Sequence, residues 1–214
     1  MHSAVRSRFF TGVTIESRPA AGSDASEGLS YAYRPSFGSP RYELTLRPDH
    51  LAWSAGGRRG AVGYADIRRV RLSSRVMGLL ADRFVVEIWP ATGPKLTIRS
   101  TSWKSIVEQE RLDAAYATFV AELHRKLVAA SSIASFEAGE PALRYWPGAT
   151  IFLAASIAIG ALAVQGLRIG AIAGAAFVAA FLALFVWRFG SHFARNRPGS
   201  YRPDDLPPWL LPRR

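Results

Sequence analysis

Between Pro147 and Trp187 the chain runs for 41 residues with a single ionised side chain, Arg168. As one helix, at about 1.5 Å per residue, this run would make a rod of roughly 60 Å, twice the roughly 30 Å hydrocarbon core of a bilayer. Divided at Gly166, Leu167 and Arg168, it gives two apolar pieces, 147–166 and 169–187, each close to the ~20 residues that one crossing needs. The stretch ALAVQGLRIGAIAG, residues 161–174, is then the tip of a helical hairpin, where Gln165 and Arg168 reach interfacial water. A hairpin buried in a soluble protein would need a large cover, and the remaining sequence supplies none.

Flanking charge predicts the orientation. Arg144 and a basic domain precede the first helix, and Arg188, Arg195, Arg197 and Arg202 follow the second, whereas the turn holds only Arg168. The positive-inside rule places both termini in the cytoplasm and the turn outside, so the expected location is the inner membrane with two crossings. Tyr145, Trp146 and Trp187 stand at the ends of the apolar run, at the depth amphipathic rings prefer. The first 40 residues lack the apolar core of a secretory leader, so the amino-terminal part is expected to stay on the side of synthesis.

The net charge of +11 is uneven: six of the 27 Lys and Arg lie from Arg188 onward and one in the turn. That leaves 20 cations ahead of the hairpin against 14 of the 16 acids, so the upstream part carries +6 and the tail +4. Both would face an anionic leaflet, which makes the lipid bilayer the first expected partner. Nucleic acid is not expected, because the cations are not interleaved with stacking aromatics in a recognised module. The absence of cysteine excludes a disulfide framework and a thiolate metal site.

Residues 1–40 are rich in Ser, Gly, Pro and Ala and read as a flexible lead-in, with a short strand expected at FFTGVTIES, residues 9–17. From Arg41 the pattern is that of strands. YELTLRP and LAWSA read as a hairpin, AGGRRG as the next turn, and AVGY as a strand. In YADIRRVRLSS, Ile67, Val70 and Leu72 share a face if one irregular step follows Ile67. RFVVEIWP puts Phe84, Val86 and Ile88 on one side, and KLTIRST repeats the alternation at Leu96 and Ile98. Ser105 and Glu108 have capping-box spacing, and Leu112, Tyr116, Phe119, Val120, Leu123 and Leu127 form the stripe of one amphipathic helix of about 20 residues.

This order of a strand hairpin, GYADIRRVRL, RFVVEIWP, KLTIRST and the helix ERLDAAYATFVAELHRKL resembles bacterial pleckstrin-homology-like (PH-like) domains of membrane proteins. The resemblance covers residues 41–130 and implies an α+β fold, a bent antiparallel barrel or sandwich capped by one carboxy-terminal helix. Six strands are read where that fold has seven, so one is missing or comes from the lead-in. The expected organisation is a lead-in (1–40), the PH-like domain (41–130), a linker (131–146), the transmembrane hairpin (147–187) and a Pro-rich basic tail (188–214).

No motif for catalysis, a cofactor or a metal is found. His2, His50, His124 and His192 are scattered and read as surface side chains, ATGPKLT lacks the phosphate-loop spacing, and no GxSxG occurs. Three binding signals remain. Arg58, Arg59, Arg68, Arg69, Arg71 and Arg75 form a basic set over a turn and one strand, and of these Arg58, Arg59, Arg69 and Arg71 are the candidate lipid or partner contacts; the resemblance invites a headgroup reading, although the basic loop of eukaryotic relatives is lacking. Leu206, Trp209, Leu210 and Leu211 in the proline-rich tail either anchor a protein partner or fold back onto the domain. Gly166, Gly170 and Gly174 recur every four residues and point to close helix packing, within the hairpin or in a homo-oligomer. The expected function is a non-enzymatic, membrane-anchored interaction or assembly module; the alternatives are an anionic-lipid sensor and an accessory subunit of a membrane enzyme.

Overall fold

A computed structural model describes residues 28–78 and 81–212. The strand expected at 9–17 lies outside them. Among the described residues the fold is α+β, with mainly antiparallel sheets and three α-helices, two of them long and apolar. Strands β1 (Leu29–Tyr33), β2 (Tyr42–Leu46), β3 (His50–Ala55) and β4 (Arg58–Gly63) form one antiparallel sheet in chain order. β5 (Ile67–Val76), β6 (Asp82–Pro90) and β7 (Leu96–Arg99) form one side of the second, with β7 at its edge. A small hairpin follows, β8 (Thr101–Trp103) with β9 (Gln109–Arg111), and then helix α1 (Asp113–Ala129). β10 (Ser135–Ala138) adds in parallel to β5. The two long helices, α2 (Ala142–Arg168) and α3 (Ile172–Arg195), come next, and β11 (Gly199–Ser200) pairs with β10 to complete the order β11-β10-β5-β6-β7.

Alternation decides what faces inward. Leu44, Leu46 and Leu51 of the first sheet meet Leu72, Val86, Ile88 and Ile98 of the second, and Tyr116, Phe119, Val120 and Leu123 of α1 cover them; none is more than 1% exposed. Each such side chain contributes about 1.5–3 kcal/mol by leaving water. The irregular step after Ile67 is a register shift between Ile67 and Arg69, which keeps Ile67, Val70 and Leu72 all in the core. Gly56 and Gly57, at φ +56° and +80°, make the two-residue turn between β3 and β4, so Arg58 and Arg59 belong to a strand rather than to a longer AGGRRG loop.

Four expectations are corrected. The lead-in contributes β1, whose Tyr31 hydroxyl donates to the Arg99 carbonyl at 2.6 Å and whose Tyr33 hydroxyl donates to that of Thr97, tying β1 to β7. Ser105 Oγ does accept the Glu108 N–H, at 3.1 Å, but the local turn it closes joins β8 to β9, and α1 starts only at Asp113. The linker holds β10 and the first turn of α2. The tail begins as the last turns of α3, and its 3-10 turn at Pro208–Leu210 places Leu210 in the domain core, 0% exposed.

The most apolar windows of α2 and α3 each have a mean hydropathy of 2.0 and are 0% and 11% buried, so both helices are long and apolar enough to cross a membrane. They pack antiparallel: Phe152 lies 5.4 Å from Phe185 and 5.2 Å from Phe193, ring centre to ring centre. The reversal lies at Ile169–Ala171, two to three residues later than the expected split.

Candidate functional site

The helical pair is joined to the second sheet by a polar clamp. Arg188, 5% exposed, donates Nε to the Gly78 carbonyl at 3.0 Å. Its Nη2 donates to the carbonyls of Gly78 and Ala81, at 2.7 and 3.0 Å, and to Asp82 Oδ1 at 2.9 Å. One turn pair later on the same helix, Arg195 Nη1 reaches Asp82 Oδ2 at 2.8 Å. Asn196, also buried, accepts the Ser74 N–H at Oδ1 and donates Nδ2 to Ser74 Oγ, both at 2.8 Å. The incoming arm is held at the same place, because the Glu140 N–H donates to the Asn196 carbonyl at 3.0 Å and the Gly139 N–H to that of Leu72 at 2.8 Å. Only glycine fits at 139: φ is +77°, and a Cβ there would stand 2.4 Å from the Asn196 carbonyl oxygen.

The outer face of the second sheet is basic. Pairing places Arg69 opposite Trp89, Arg71 opposite Glu87, and Arg75 opposite Arg83, with Thr97 and Arg99 further along on β7. Glu137 of β10 accepts Arg71 through Nε at 2.9 Å and through Nη2, and Arg69 Nε lies 3.3 Å from its other oxygen. Lys95 reaches Glu87 at 2.8 Å. The same three cations ring Trp89, with Arg69, Arg71 and Lys95 at 5.5, 5.2 and 5.2 Å from its ring centre. Among the described residues no carboxylate pairs with Arg75 or Arg83. Arg83 Nε is buried without a hydrogen-bond partner among the described residues, and burial, then Arg99 and Arg75, hold its guanidinium below the ordinary range.

A cleft of about 580 Å³ opens where this face meets the first turn of α2. Its floor is Arg71, Ser73, Arg75, Glu87, Trp89 and Lys95; its wall is Glu140, Pro141, Leu143 and Arg144.

The residues singled out from sequence do not converge. Arg69 and Arg71 share one carboxylate on the second sheet, while Arg58 and Arg59 are exposed on β4 of the first. In the tail group Leu210 is core, Leu206 and Leu211 pack against it, and Trp209 stays 55% exposed beside Trp187 in a second cleft. The glycine repeat crosses the hairpin turn: Gly166 faces Ala175 of α3, a Cβ there falling 3.2 Å from that of Ala175, Gly170 lies in the turn, and Gly174 has open space around it. A periodicity that spans a reversal cannot mark one helix face.

One histidine is not a surface residue. His124 is 1% exposed, with Nδ1 2.7 Å from the Val120 carbonyl and Nε2 2.7 Å from the Tyr201 hydroxyl. The carbonyl can only accept, so Nδ1 carries the proton and Nε2 accepts from Tyr201. Burial pushes the imidazole down to about 4 and raises the Tyr201 phenol, so both remain neutral. Arg144, Glu140 and Asp82 went unnoticed in the sequence as site residues, whereas Arg75 stands there in the basic set with Arg58, Arg59, Arg68, Arg69 and Arg71. Nothing local links Arg144 to Arg75.

Comparison with protein-family models, with curated proteins and with solved structures returned no match.

Proposed function

We propose that this chain is a non-enzymatic inner-membrane protein that presents a PH-like domain at the cytoplasmic surface as an interaction or assembly module. The PH-like reading is supported by the order of a four-stranded antiparallel sheet, three further antiparallel strands and a helix over the shared core. The observation that carries the function is the clamp of Asp82 by Arg188 and Arg195, which holds the β-domain against the apolar pair in one orientation. A module so fixed directs one sheet toward the membrane side and leaves the exposed β3–β4 hairpin, with Arg58 and Arg59, for a partner. Confinement to the membrane plane raises effective concentration, so weak contacts suffice.

The chain has no cysteine, which makes single-cysteine labelling clean. Ile169→Cys in the turn should react with an impermeant maleimide on intact cells, and Arg58→Cys only after lysis. The reverse pattern rejects the topology. A photo-crosslinker at Arg58 or Arg59 in the full chain in its membrane should give one discrete heteromeric adduct. Its absence at both positions rejects the interaction role for this hairpin.

A further inference from the structure

We infer that the cleft between the outer face of the second sheet and the first turn of α2 binds the phosphate of an anionic phospholipid headgroup from the cytoplasmic leaflet. The inference rests on the membrane placement proposed above. Four cations line the cleft, Arg71, Arg75, Lys95 and Arg144, against two carboxylates, Glu87 and Glu140. Arg71 shares Glu137 with Arg69, and Lys95 is paired with Glu87, so these groups form a partly compensated floor over Trp89. The lining cations with no carboxylate of their own are Arg75 and Arg144, one on β5 and one on α2, neither paired with a carboxylate among the described residues. Two guanidinium groups converging from different elements offer forked donors suited to phosphate oxygens.

The position and the lining choose a lipid over a soluble phosphate. Arg144 precedes the charge-free run by three residues, so the cleft opens where α2 leaves the apolar layer. Leu143, which lines the cleft beside Pro141 and Arg144, is 90% exposed. An apolar side chain left in solvent beside unpaired arginines matches a ligand that joins a phosphate to acyl chains. Glu140 lines the same cleft and makes no ion pair among the described residues. With Arg69 and the Glu137 it shares with Arg71 included, five cations face three carboxylates, so the cleft keeps a positive excess that attracts the phosphodiester anion of a lipid such as phosphatidylglycerol.

The test is native mass spectrometry of the detergent-purified full chain, titrated with phosphatidylglycerol, phosphatidylcholine or soluble glycerol 3-phosphate. Because it needs neither a defined topology nor a protein partner, it can fail while the proposed module stands, and it can succeed if the labelling experiment rejects that topology. One phosphatidylglycerol should bind in preference to phosphatidylcholine. Arg75→Ala with Arg144→Ala should weaken it by roughly tenfold to thirtyfold, while Arg58→Ala with Arg59→Ala, which removes equal charge elsewhere, should leave it unchanged. Glu140→Gln should tighten it. Equal loss in both double variants reduces the effect to general charge, equal binding of phosphatidylcholine removes the anion preference, and full competition by glycerol 3-phosphate replaces the lipid by a soluble phosphate; each overturns the inference.

Discussion

The Arg188 guanidinium lies 2.9 Å from Asp82 Oδ1, and the two side chains are only 6% and 13% exposed. An ion pair so shielded stabilises little on its own account, but removing one partner strands the other charge. Asp82→Ala is therefore expected to lower stability by about 3–5 kcal/mol, read as the thermal midpoint of the detergent-solubilised chain. Replacing Arg188 by Met in the same chain should restore part of the loss. A neutral outcome for Asp82→Ala alone would show that the clamp is not a structural joint.

The buried His124 predicts an acid-side loss of stability. Its folded value of about 4 against an ordinary 6.5 means that the unfolded chain binds the extra proton between those limits. Stability from this group is whole above about pH 6.5 and falls as the pH drops toward 4, by up to ~3 kcal/mol. Unfolding of His124→Asn across this range should be flatter than that of the wild type; parallel curves would assign the acid sensitivity to other groups.

The tail separates core from surface within two adjacent residues. Leu210→Ala should cost about 2–5 kcal/mol because it opens a cavity, whereas Trp209→Ala should change stability by less than about 1 kcal/mol. If Trp209 proves the more costly, the tail does not dock through Leu210.

In the hairpin, Gly166 and Gly174 should respond differently. Gly166→Leu drives a large side chain into Ala175 and should separate the helices, while Gly174→Leu meets open space. Inter-helix disulfide formation between cysteines introduced at Gly160 and Leu182 would report this, falling only in the first variant.

The apolar hairpin and most strands of the domain were readable because each follows from a short-range rule: length against bilayer thickness, and period-two burial in RFVVEIWP and KLTIRST. β1 was missed because LSYAY sits among Ser, Gly and Pro; the sole clue was Tyr31 and Tyr33 two apart, and what makes them inward-facing is their bond to β7, some 64 residues on. Ser105 and Glu108 misled because a capping box and a tight turn use the same hydrogen bond. The cleft was invisible for a different reason. Arg75 and Arg144 are brought together by Asn196 holding both Ser74 and Glu140, a contact among three distant segments that no local pattern encodes.

The seating of Leu210 in the β-domain sets an order on the making of the protein. The strands and α1 leave the ribosome first, yet the side chain that fills their core is joined to the chain only after α2 and α3 have been synthesised. Until then the domain has an apolar gap and an unpaired β10 edge. Final closure of the β-domain must therefore follow synthesis of the two long helices, and a nascent chain arrested before Leu210 would be left with an open core, a form open to aggregation or proteolysis.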